Sequence, residues 1–279
     1  MAEARSLRTE DGALALRLWP SVGKRPLLMV HGMAGNSHWW DDVAPLLSRD
    51  FEPAALDLSG HGDSAWREDG EYSGEAFMED IERARAALGW DEFILCGHSF
   101  GARMALDYAV KNAERLAALV CADFMPEYRE PNPRRKSFRA KLKPRQPFYG
   151  NREDIIRRFH LQPPGNCMTP ERIRVLAESC VRQGERGFTW KTDWRIFTFQ
   201  YQSAWPVFPQ LGMPCLVIRG EFSTVMDRQD FEAVVEAVPG ARGVEIPGSF
   251  HHVPLDKPEE FAAAVSGFAL GLENKAAAP

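Results

Sequence analysis

The feature that most restricts the fold of this chain is a glycine-flanked serine between two different hydrophobic patterns. Residues 93–101 read FILCGHSFG, and residues 100–110 continue as FGARMALDYAV. The first apolar run is typical of a buried strand, and the last segment has the spacing of an amphipathic helix. A strand that turns sharply into a helix needs small residues beside the turn, which Gly97 and Gly101 supply. The pattern therefore predicts a strand–turn–helix unit that exposes Ser99 at the start of the helix.

The rest of the chain repeats this alternation of short apolar runs and longer helical patterns. Further buried-strand candidates are PLLMVHG (26–32), PAALDL (53–58), LAALVCAD (116–123), PCLVIRG (214–220) and GVEIPG (243–248). The other helix candidates are Trp39–Leu47, Glu75–Leu88, Phe231–Val238 and Pro258–Leu272. The alternating run GALALRLWP (12–20) predicts an antiparallel edge strand. This order predicts an α/β protein with a doubly wound, mostly parallel sheet.

Residues 124–205 interrupt the alternation and differ in composition from the rest of the chain. They lack a convincing buried strand and carry 17 Lys and Arg against 8 Asp and Glu, a net charge of +9. We predict that they form an inserted helical cap on a core built from residues 1–123 and 206–279. The basic side chains are either simply solvated or attract an anionic substrate.

The composition of the whole chain narrows the class of protein. Its hydrophobic content of 44% and charged content of 26% are ordinary for a soluble globular protein. No run approaches the roughly 18 apolar residues of a membrane helix, and the first residues lack the apolar core of a secretory signal. The five cysteines show no C-x-x-C spacing, and no histidine–cysteine cluster has zinc-ligand spacing. We therefore expect a cytoplasmic protein with free thiols, no metal and no cofactor.

Three glycine-rich motifs and a late histidine suggest a family. HGMAG (31–35), DLSGHGDS (57–64) and GHSFG (97–101), in this order, resemble the α/β-hydrolase superfamily over nearly the whole chain. In that family the second motif is a structural turn, so the resemblance implies structural roles for Asp57, His61 and Asp63. It also implies a small-molecule substrate, with no nucleic-acid or membrane partner.

The resemblance implies an oxyanion hole made by two backbone N–H groups. In this fold one donor belongs to the residue after the nucleophile, and the other to the loop after the early strand. The matching residues are Phe100 and Met33. One such donor can contribute about 3 kcal/mol to transition-state stabilisation.

Two adjacent histidines compete for the role of general base. His251 and His252 both follow Pro247 and Gly248 at the end of a strand candidate. Family members place the histidine seven residues before the proline that begins the last helix. Because Pro258 stands in that relation to His251, the resemblance favours His251.

The acid of the predicted triad departs from the common family pattern. Most members carry it just after the strand that here reads CLVIRG, but this chain continues with Glu221, Phe222, Ser223 and Thr224 and has no carboxylate at either expected position. Asp123, at the end of the preceding strand candidate, is the favoured acid. Asp227 and Glu221 remain alternatives.

A narrower resemblance concerns the substrate. GHSFGAR, ADFMPEY, RGEFS and the cap stretch RRFHLQPP are similar to segments of (E)-2-(acetamidomethylene)succinate hydrolase. That resemblance implies an acid after the earlier strand and a dicarboxylate held by cap arginines. The matching positions are Arg158, by motif, and Arg139, by spacing; arginine suits carboxylates because it binds them in a bidentate manner. The cap residues Trp190, Trp194 and Trp205 either line an apolar pocket or form the core of the cap.

These observations predict a cofactor-free serine hydrolase of a small ester, amide, thioester or lactone. Ser99 would attack the carbonyl carbon, His251 would transfer the proton, and Asp123 would orient His251. One alternative is a cofactor-independent dioxygenase or a C–C bond hydrolase on the same fold. A non-catalytic receptor is a second alternative, against which the intact serine, histidine and oxyanion loop argue. The substrate and the oligomeric state remain open.

Overall fold

The computed structural model describes residues 4–127 and 145–276. Its strands are β1 (Arg5–Arg8), β2 (Ala15–Leu18), β3 (Arg25–Val30), β4 (Phe51–Asp57), β5 (Phe93–His98), β6 (Leu116–Ala122), β7 (Val181–Gly184), β8 (Gly187–Trp190), β9 (Cys215–Gly220) and β10 (Arg242–Ile246). Eight of them form one sheet in the order β1-β2-β4-β3-β5-β6-β9-β10, and β7 and β8 form a separate hairpin. Pairing is parallel from β4 through β10 and antiparallel where β2 meets β1 and β4. The predicted mostly parallel α/β fold is confirmed.

The helices lie mainly between these strands, as the sequence predicts. They are α1 (Ala44–Leu47), α2 (Gly74–Ala87), α3 (Phe100–Lys111), α4 (Arg152–Ile156), α5 (Pro170–Ser179), α6 (Arg228–Ala237), α7 (Val253–Asp256) and α8 (Pro258–Ala276). The prediction of a single helix over Trp39–Leu47 was wrong. The structure divides this segment into a 3₁₀ turn, Ser37–Trp40, and the short helix α1. Pro45 explains the break, because proline lacks the N–H that a continuous helix would need there.

Two hydrophobic clusters cover the two faces of the sheet. On β3, Leu28 and Val30 belong to one cluster, while Leu27 and Met29 belong to the other. Side chains alternate between the faces of a strand, so a strand that is covered on both faces must be apolar throughout. This double burial accounts for the continuous apolar runs in the sequence.

The edge of the sheet differs from the prediction. Strand β2 is antiparallel, as predicted, but it pairs with both β1 and β4 and is therefore not the edge strand. The edge is β1, whose sequence RSLR is largely exposed. A short polar strand of this kind has no apolar periodicity by which it could be recognised.

Residues 145–205 follow β6 and cover the loops after β3 and β4. The backbone N–H of Asp193 donates to the Gly60 carbonyl oxygen at 2.8 Å, and the Tyr72 hydroxyl donates to the Asp193 carboxylate at 2.7 Å. The Thr192 hydroxyl also donates to the Ala34 carbonyl oxygen at 3.3 Å. Besides the helices α4 and α5, the segment contains the β7–β8 hairpin, which the sequence analysis did not predict. The wider assignment of residues 124–205 to an inserted helical cap stays a prediction.

In the ranges 4–127 and 145–276, no helix combines the length and apolar composition needed to cross a bilayer.

The DLSGHGDS motif forms a compact turn after β4. Asp57 accepts hydrogen bonds from the backbone N–H groups of Ser37 at 2.6 Å and Asp63 at 2.8 Å. The ring of His61 is buried and stacks on Phe100. These contacts agree with the structural role that the family resemblance implies for the motif.

Asp80 of α2 supports this turn and gives it a pH-dependent stability. Its carboxylate is buried and accepts a hydrogen bond from the Ser59 N–H at 2.8 Å, and burial raises its pKa to about 6. Since this folded-state pKa lies above the usual 3.8, the folded protein binds the extra proton between about pH 4 and pH 6. The Asp80 contribution to stability is therefore present below that window and is lost as pH rises through it.

We expect Asp80→Asn to remove this pH dependence. Between about pH 4 and pH 6, the free energy of unfolding of the wild type should fall, relative to the variant, by up to about 1.4 kcal/mol per pH unit. Denaturant titrations at several pH values measure the difference. Glu79→Gln, at the exposed neighbouring position, is the control and should follow the wild type. Parallel curves for wild type and Asp80→Asn would contradict the prediction.

Candidate active site

Ser99 stands at the sharp turn between β5 and α3. Its backbone has φ 53° and ψ −116°, a strained conformation for a residue with a side chain, and its N–H donates to the Ala122 carbonyl oxygen at 2.8 Å. A Cβ atom on Gly97 would collide with the backbone of Ala102, and one on Gly101 would collide with the carbonyl oxygen of Val30. The two glycines therefore allow the turn to pack against the sheet while Ser99 projects from it.

The structure brings Ser99, His251 and Asp123 into one hydrogen-bonded chain. His251 Nε2 lies 3.0 Å from Ser99 Oγ, and His251 Nδ1 lies 2.7 Å from Asp123 Oδ1. Asp123 is completely buried, and the exposed fraction of His251 is 4%. A carboxylate can only accept, so Nδ1 carries the proton and Nε2 presents its lone pair to the serine hydroxyl.

The Asp123 carboxylate also receives donors from the loop after β9. The Gly220 N–H donates to Oδ2 at 2.8 Å, and the Ser223 hydroxyl donates to Oδ1 at 2.6 Å. Gly220 must lack a side chain, because a Cβ atom there would collide with the Phe250 carbonyl oxygen. Three donors, counting His251, thus compensate a carboxylate that is removed from water.

The two alternative acids serve other purposes. Asp227 is exposed and caps α6, where it accepts from the Asp230 N–H at 2.7 Å. Glu221 is also exposed and accepts from the Gly248 N–H at 2.7 Å. Among the residues that the structure describes, neither carboxylate bonds to His251.

Ser223 is a site residue whose role the sequence analysis missed. It stands in the stretch where most family members carry the acid, and the sequence shows there only the absence of a carboxylate. The structure shows that the hydroxyl binds Asp123 instead, and that it also accepts from the N–H groups of Val225 and Met226. The loop after β9 therefore holds the carboxylate of Asp123 at the end of β6.

We expect Ser223→Ala to slow the reaction of Ser99 by roughly tenfold, because one buried acceptor loses its donor at a cost of about 1–3 kcal/mol. The measurement is the second-order rate of labelling by a fluorophosphonate, together with a thermal melt. Ser223→Thr retains a hydroxyl and should recover most of the rate. Thr224→Ala, at the exposed adjacent position, is the control. Equal rates for Ser223→Ala and Thr224→Ala would contradict this role.

The predicted oxyanion loop lies directly beside Ser99. Residues 32–35 form a tight turn in which the Gly35 N–H donates to the Gly32 carbonyl oxygen at 2.9 Å and Ala34 has a φ of 61°. A Cβ atom on Gly32 would lie 3.3 Å from the Ser99 Cβ atom. Phe100 is the first residue of α3, where a backbone N–H has no acceptor within the helix. The donor roles of Met33 and Phe100 stay predictions.

A family profile described as alpha/beta hydrolase fold matches residues 25–258. The chain belongs to this family. An esterase of Mycobacterium tuberculosis is 28% identical to this hydrolase over 272 residues, covering 93% of the chain and 87% of that protein.

Two further similarities concern enzymes that act on small molecules. The N-formylmaleamate deformylase of Pseudomonas putida is 27% identical over 253 residues, covering 87% of each chain. The crystal structure of E-2-(acetamidomethylene)succinate hydrolase superposes with a TM-score of 0.79 at 24% identity, covering 95% of this chain and 99% of that chain. The similarity to this group of the superfamily is confirmed, and the relatives support a hydrolytic enzyme.

Of the two arginines suggested as substrate ligands, the structure describes only Arg158. Arg139 lies outside the described residues. Arg158 follows α4 and is exposed, with its guanidinium carbon 5.7 Å from the centre of the Tyr149 ring. Within residues 4–127 and 145–276, no hydrogen bond or ion pair joins Arg158 to the Ser99 site. Its role as a substrate ligand stays a prediction.

The aromatic side chains in residues 145–205 fall into two groups. Some contact aromatic rings within residues 145–208, and others contact Phe100 of α3. Trp190 contacts Tyr149 and Phe159, Trp194 contacts Phe197, and Trp205 contacts Phe208. Two residues that the sequence analysis did not single out, Phe199 and Tyr201, instead pack against Phe100, the residue after Ser99, with ring centres 5.2 and 6.0 Å from the Phe100 ring. The segment therefore packs on the start of α3 through side chains other than the three tryptophans.

Two more buried histidines, His98 and His252, lie beside His251. His98 Nε2 donates to the His251 carbonyl oxygen at 2.9 Å, and His252 Nε2 donates to the Pro163 carbonyl oxygen at 3.2 Å. Burial lowers the pKa of His98 well below its usual value and that of His252 to about 3, so both rings are neutral at pH 7. One ligand atom of His98, His251 and His252 each lies within 4.8 Å of the others, so the three could hold a metal ion. Spacing in the sequence did not reveal this group, because His98 and His251 are 153 positions apart.

Proposed function

We propose that this protein is a serine hydrolase of a small ester, amide, thioester or lactone and works through an acyl-enzyme. The observation that carries the proposal is the continuous hydrogen-bonded chain from Ser99 through His251 to Asp123. A hydroxyl that donates to a neutral imidazole is an activated nucleophile, since the ring can take its proton during attack. The strained turn presents that hydroxyl to His251.

In the proposed mechanism, Ser99 Oγ attacks the carbonyl carbon while its proton passes to His251 Nε2. The Asp123 carboxylate stabilises the resulting imidazolium and keeps the ring in the productive tautomer. His251 then protonates the leaving alcohol, amine or thiol, and an acyl-Ser99 ester remains. A water molecule, deprotonated by His251, attacks this ester and releases the acid and the free enzyme.

Two backbone donors complete the proposed site. The N–H groups of Met33 and Phe100 would bind the oxygen that becomes negatively charged in the tetrahedral intermediate. Phe100 adds the positive end of α3, and the turn over residues 32–35 lies beside Ser99. The arrangement supports acyl transfer because donors aimed at the developing charge act mainly in the transition state.

For the substrate, we propose a small molecule that bears a carboxylate. The support is the excess of 17 Lys and Arg over 8 Asp and Glu in residues 124–205, together with relatives named for an N-formyl amide and an acetamidomethylene succinate. Arg158 and Arg139 are the proposed ligands. All five cysteines are unpaired, which supports a reducing compartment such as the cytoplasm.

We expect Ser99→Ala to abolish covalent labelling by a fluorophosphonate, because the probe reacts with an activated hydroxyl. The measurement is the mass of the intact protein after incubation, with a thermal melt to check folding. Ser6→Ala, on the edge strand β1, is the control and should label like the wild type. Full labelling of a folded Ser99→Ala variant would exclude Ser99 as the nucleophile.

Asp123→Asn tests the proposed acid. The amide keeps the shape of the side chain but no longer favours the tautomer in which Nδ1 carries the proton. Because the corresponding change in a serine protease costs about 10⁴ in kcat, we expect a loss of at least about 100-fold in the labelling rate. Asp227→Asn and Glu221→Gln are matched controls and should lose less than about tenfold. Near-normal reactivity of Asp123→Asn would indicate a Ser–His dyad, or the later acid if Asp227→Asn were inactive.

A further inference from the structure

His98, His251 and His252 form a compact group beside the nucleophile. His98 ends β5, and the other two lie in the loop after β10. Ring centres are 4.9 Å apart for His98 and His251, 4.9 Å for His251 and His252, and 5.9 Å for His98 and His252. None of the three is more than 4% exposed. The catalytic mechanism uses only the side chain of His251.

The hydrogen bonds of the three rings determine which nitrogen carries a lone pair. His98 Nε2 and His252 Nε2 each face a backbone carbonyl oxygen, which only accepts, so in the neutral rings Nδ1 holds the lone pair. His251 has the opposite tautomer, because Nδ1 donates to Asp123 and Nε2 holds the lone pair. Among the described residues, the Nδ1 atoms of His98 and His252 have no hydrogen-bond partner although both are buried.

This pattern is the one found in metal-binding histidines. Such ligands present one nitrogen to the ion and donate the other N–H to a carbonyl oxygen or carboxylate, which fixes the tautomer and the ring orientation. Imidazole suits zinc, copper and nickel, and three histidines with one open position form a known type of zinc site. A cation would also satisfy the two buried acceptors, which are unfavourable when left unpaired.

We propose that His98, His251 and His252 form an inhibitory site for a transition-metal ion such as Zn²⁺. Zinc–nitrogen bonds of about 2.0–2.1 Å place the nitrogens of a tetrahedral site about 3.3–3.4 Å apart. One ring nitrogen of each histidine lies within 4.8 Å of the others, so binding requires the rings to move inward by about 1 Å each. Bound metal takes the lone pair of His251 Nε2, so that the ring can no longer accept the proton of Ser99.

The inhibition rests on the proposed role of His251, but the binding of metal does not. Binding is therefore tested on Ser99→Ala, in which no reaction takes place, by calorimetric titration with ZnCl₂ and by the visible absorption of bound Co²⁺. We expect one ion per chain and the spectrum of nitrogen-ligated Co²⁺. His98→Gln and His252→Gln, each added to Ser99→Ala, should weaken binding at least about tenfold. The glutamine amide can still donate to the carbonyl oxygen that each ring holds.

His160→Gln is the matched control, because His160 is exposed and lies outside the group. It should bind Zn²⁺ like its parent. Failure of Ser99→Ala to bind Zn²⁺ or Co²⁺, or equal binding by all three glutamine variants, would overturn the proposal.

Inhibition is measured as the ratio of the fluorophosphonate labelling rates with and without Zn²⁺ for each protein. For the chain with Ser99 intact, we expect at least a tenfold decrease that a chelator reverses. His252→Gln should raise the half-inhibitory Zn²⁺ concentration at least about tenfold. Binding at the histidines without slower labelling would refute the inhibitory role. Absence of labelling without metal would instead refute the proposed function, and the titrations would still decide whether the metal site exists.

Discussion

The buried carboxylate of Asp123 is the interaction on which the arrangement of the site depends. It joins the end of β6 to the loop after β9, through Gly220 and Ser223, and to the loop after β10, through His251. A buried charge is tolerated only when donors surround it, so these loops are held together by the need to compensate it. Asp123 itself has a φ of 42°, and its N–H is held by the Ile218 carbonyl oxygen at 2.7 Å. The position of His251 is thus determined by the ends of three adjacent strands.

The strained backbone of Ser99 and the hydrogen-bonded carboxylate of Asp123 are linked through one pair of strands. Both residues have positive φ values at the ends of neighbouring parallel strands, β5 and β6. Such conformations cost about 1–3 kcal/mol each and persist only where the surroundings enforce them. Here the Ser99 N–H bonds to Ala122, the residue before Asp123. The same pair of strands therefore sets the distance between Ser99 and Asp123, which His251 spans.

Much of the fold could be predicted from the sequence, because burial on both faces forces a strand to be apolar throughout. The β5–Ser99–α3 unit could be predicted for a second reason, since only glycine fits at positions 97 and 101. Strand β1 and the β7–β8 hairpin could not, since short exposed strands need no apolar pattern. For Ser223 the sequence showed the missing carboxylate, but the hydroxyl that donates to Asp123 became evident only from the three-dimensional contacts.

The grouping of His98 with His251 and His252 also lay beyond the sequence, because two strands separate β5 from β10 and only the course of the loop after β10 brings these residues together. Its chemistry follows from the burial of the three rings. A hydrogen bond at one ring nitrogen fixes the tautomer of a buried imidazole, and a ring with a fixed tautomer is also a good ligand for a transition-metal ion. His98 holds the backbone carbonyl oxygen of His251, so the ring that steadies the base also offers its own lone pair nearby. A buried imidazole that orients His251 is therefore also a ligand of the proposed metal site.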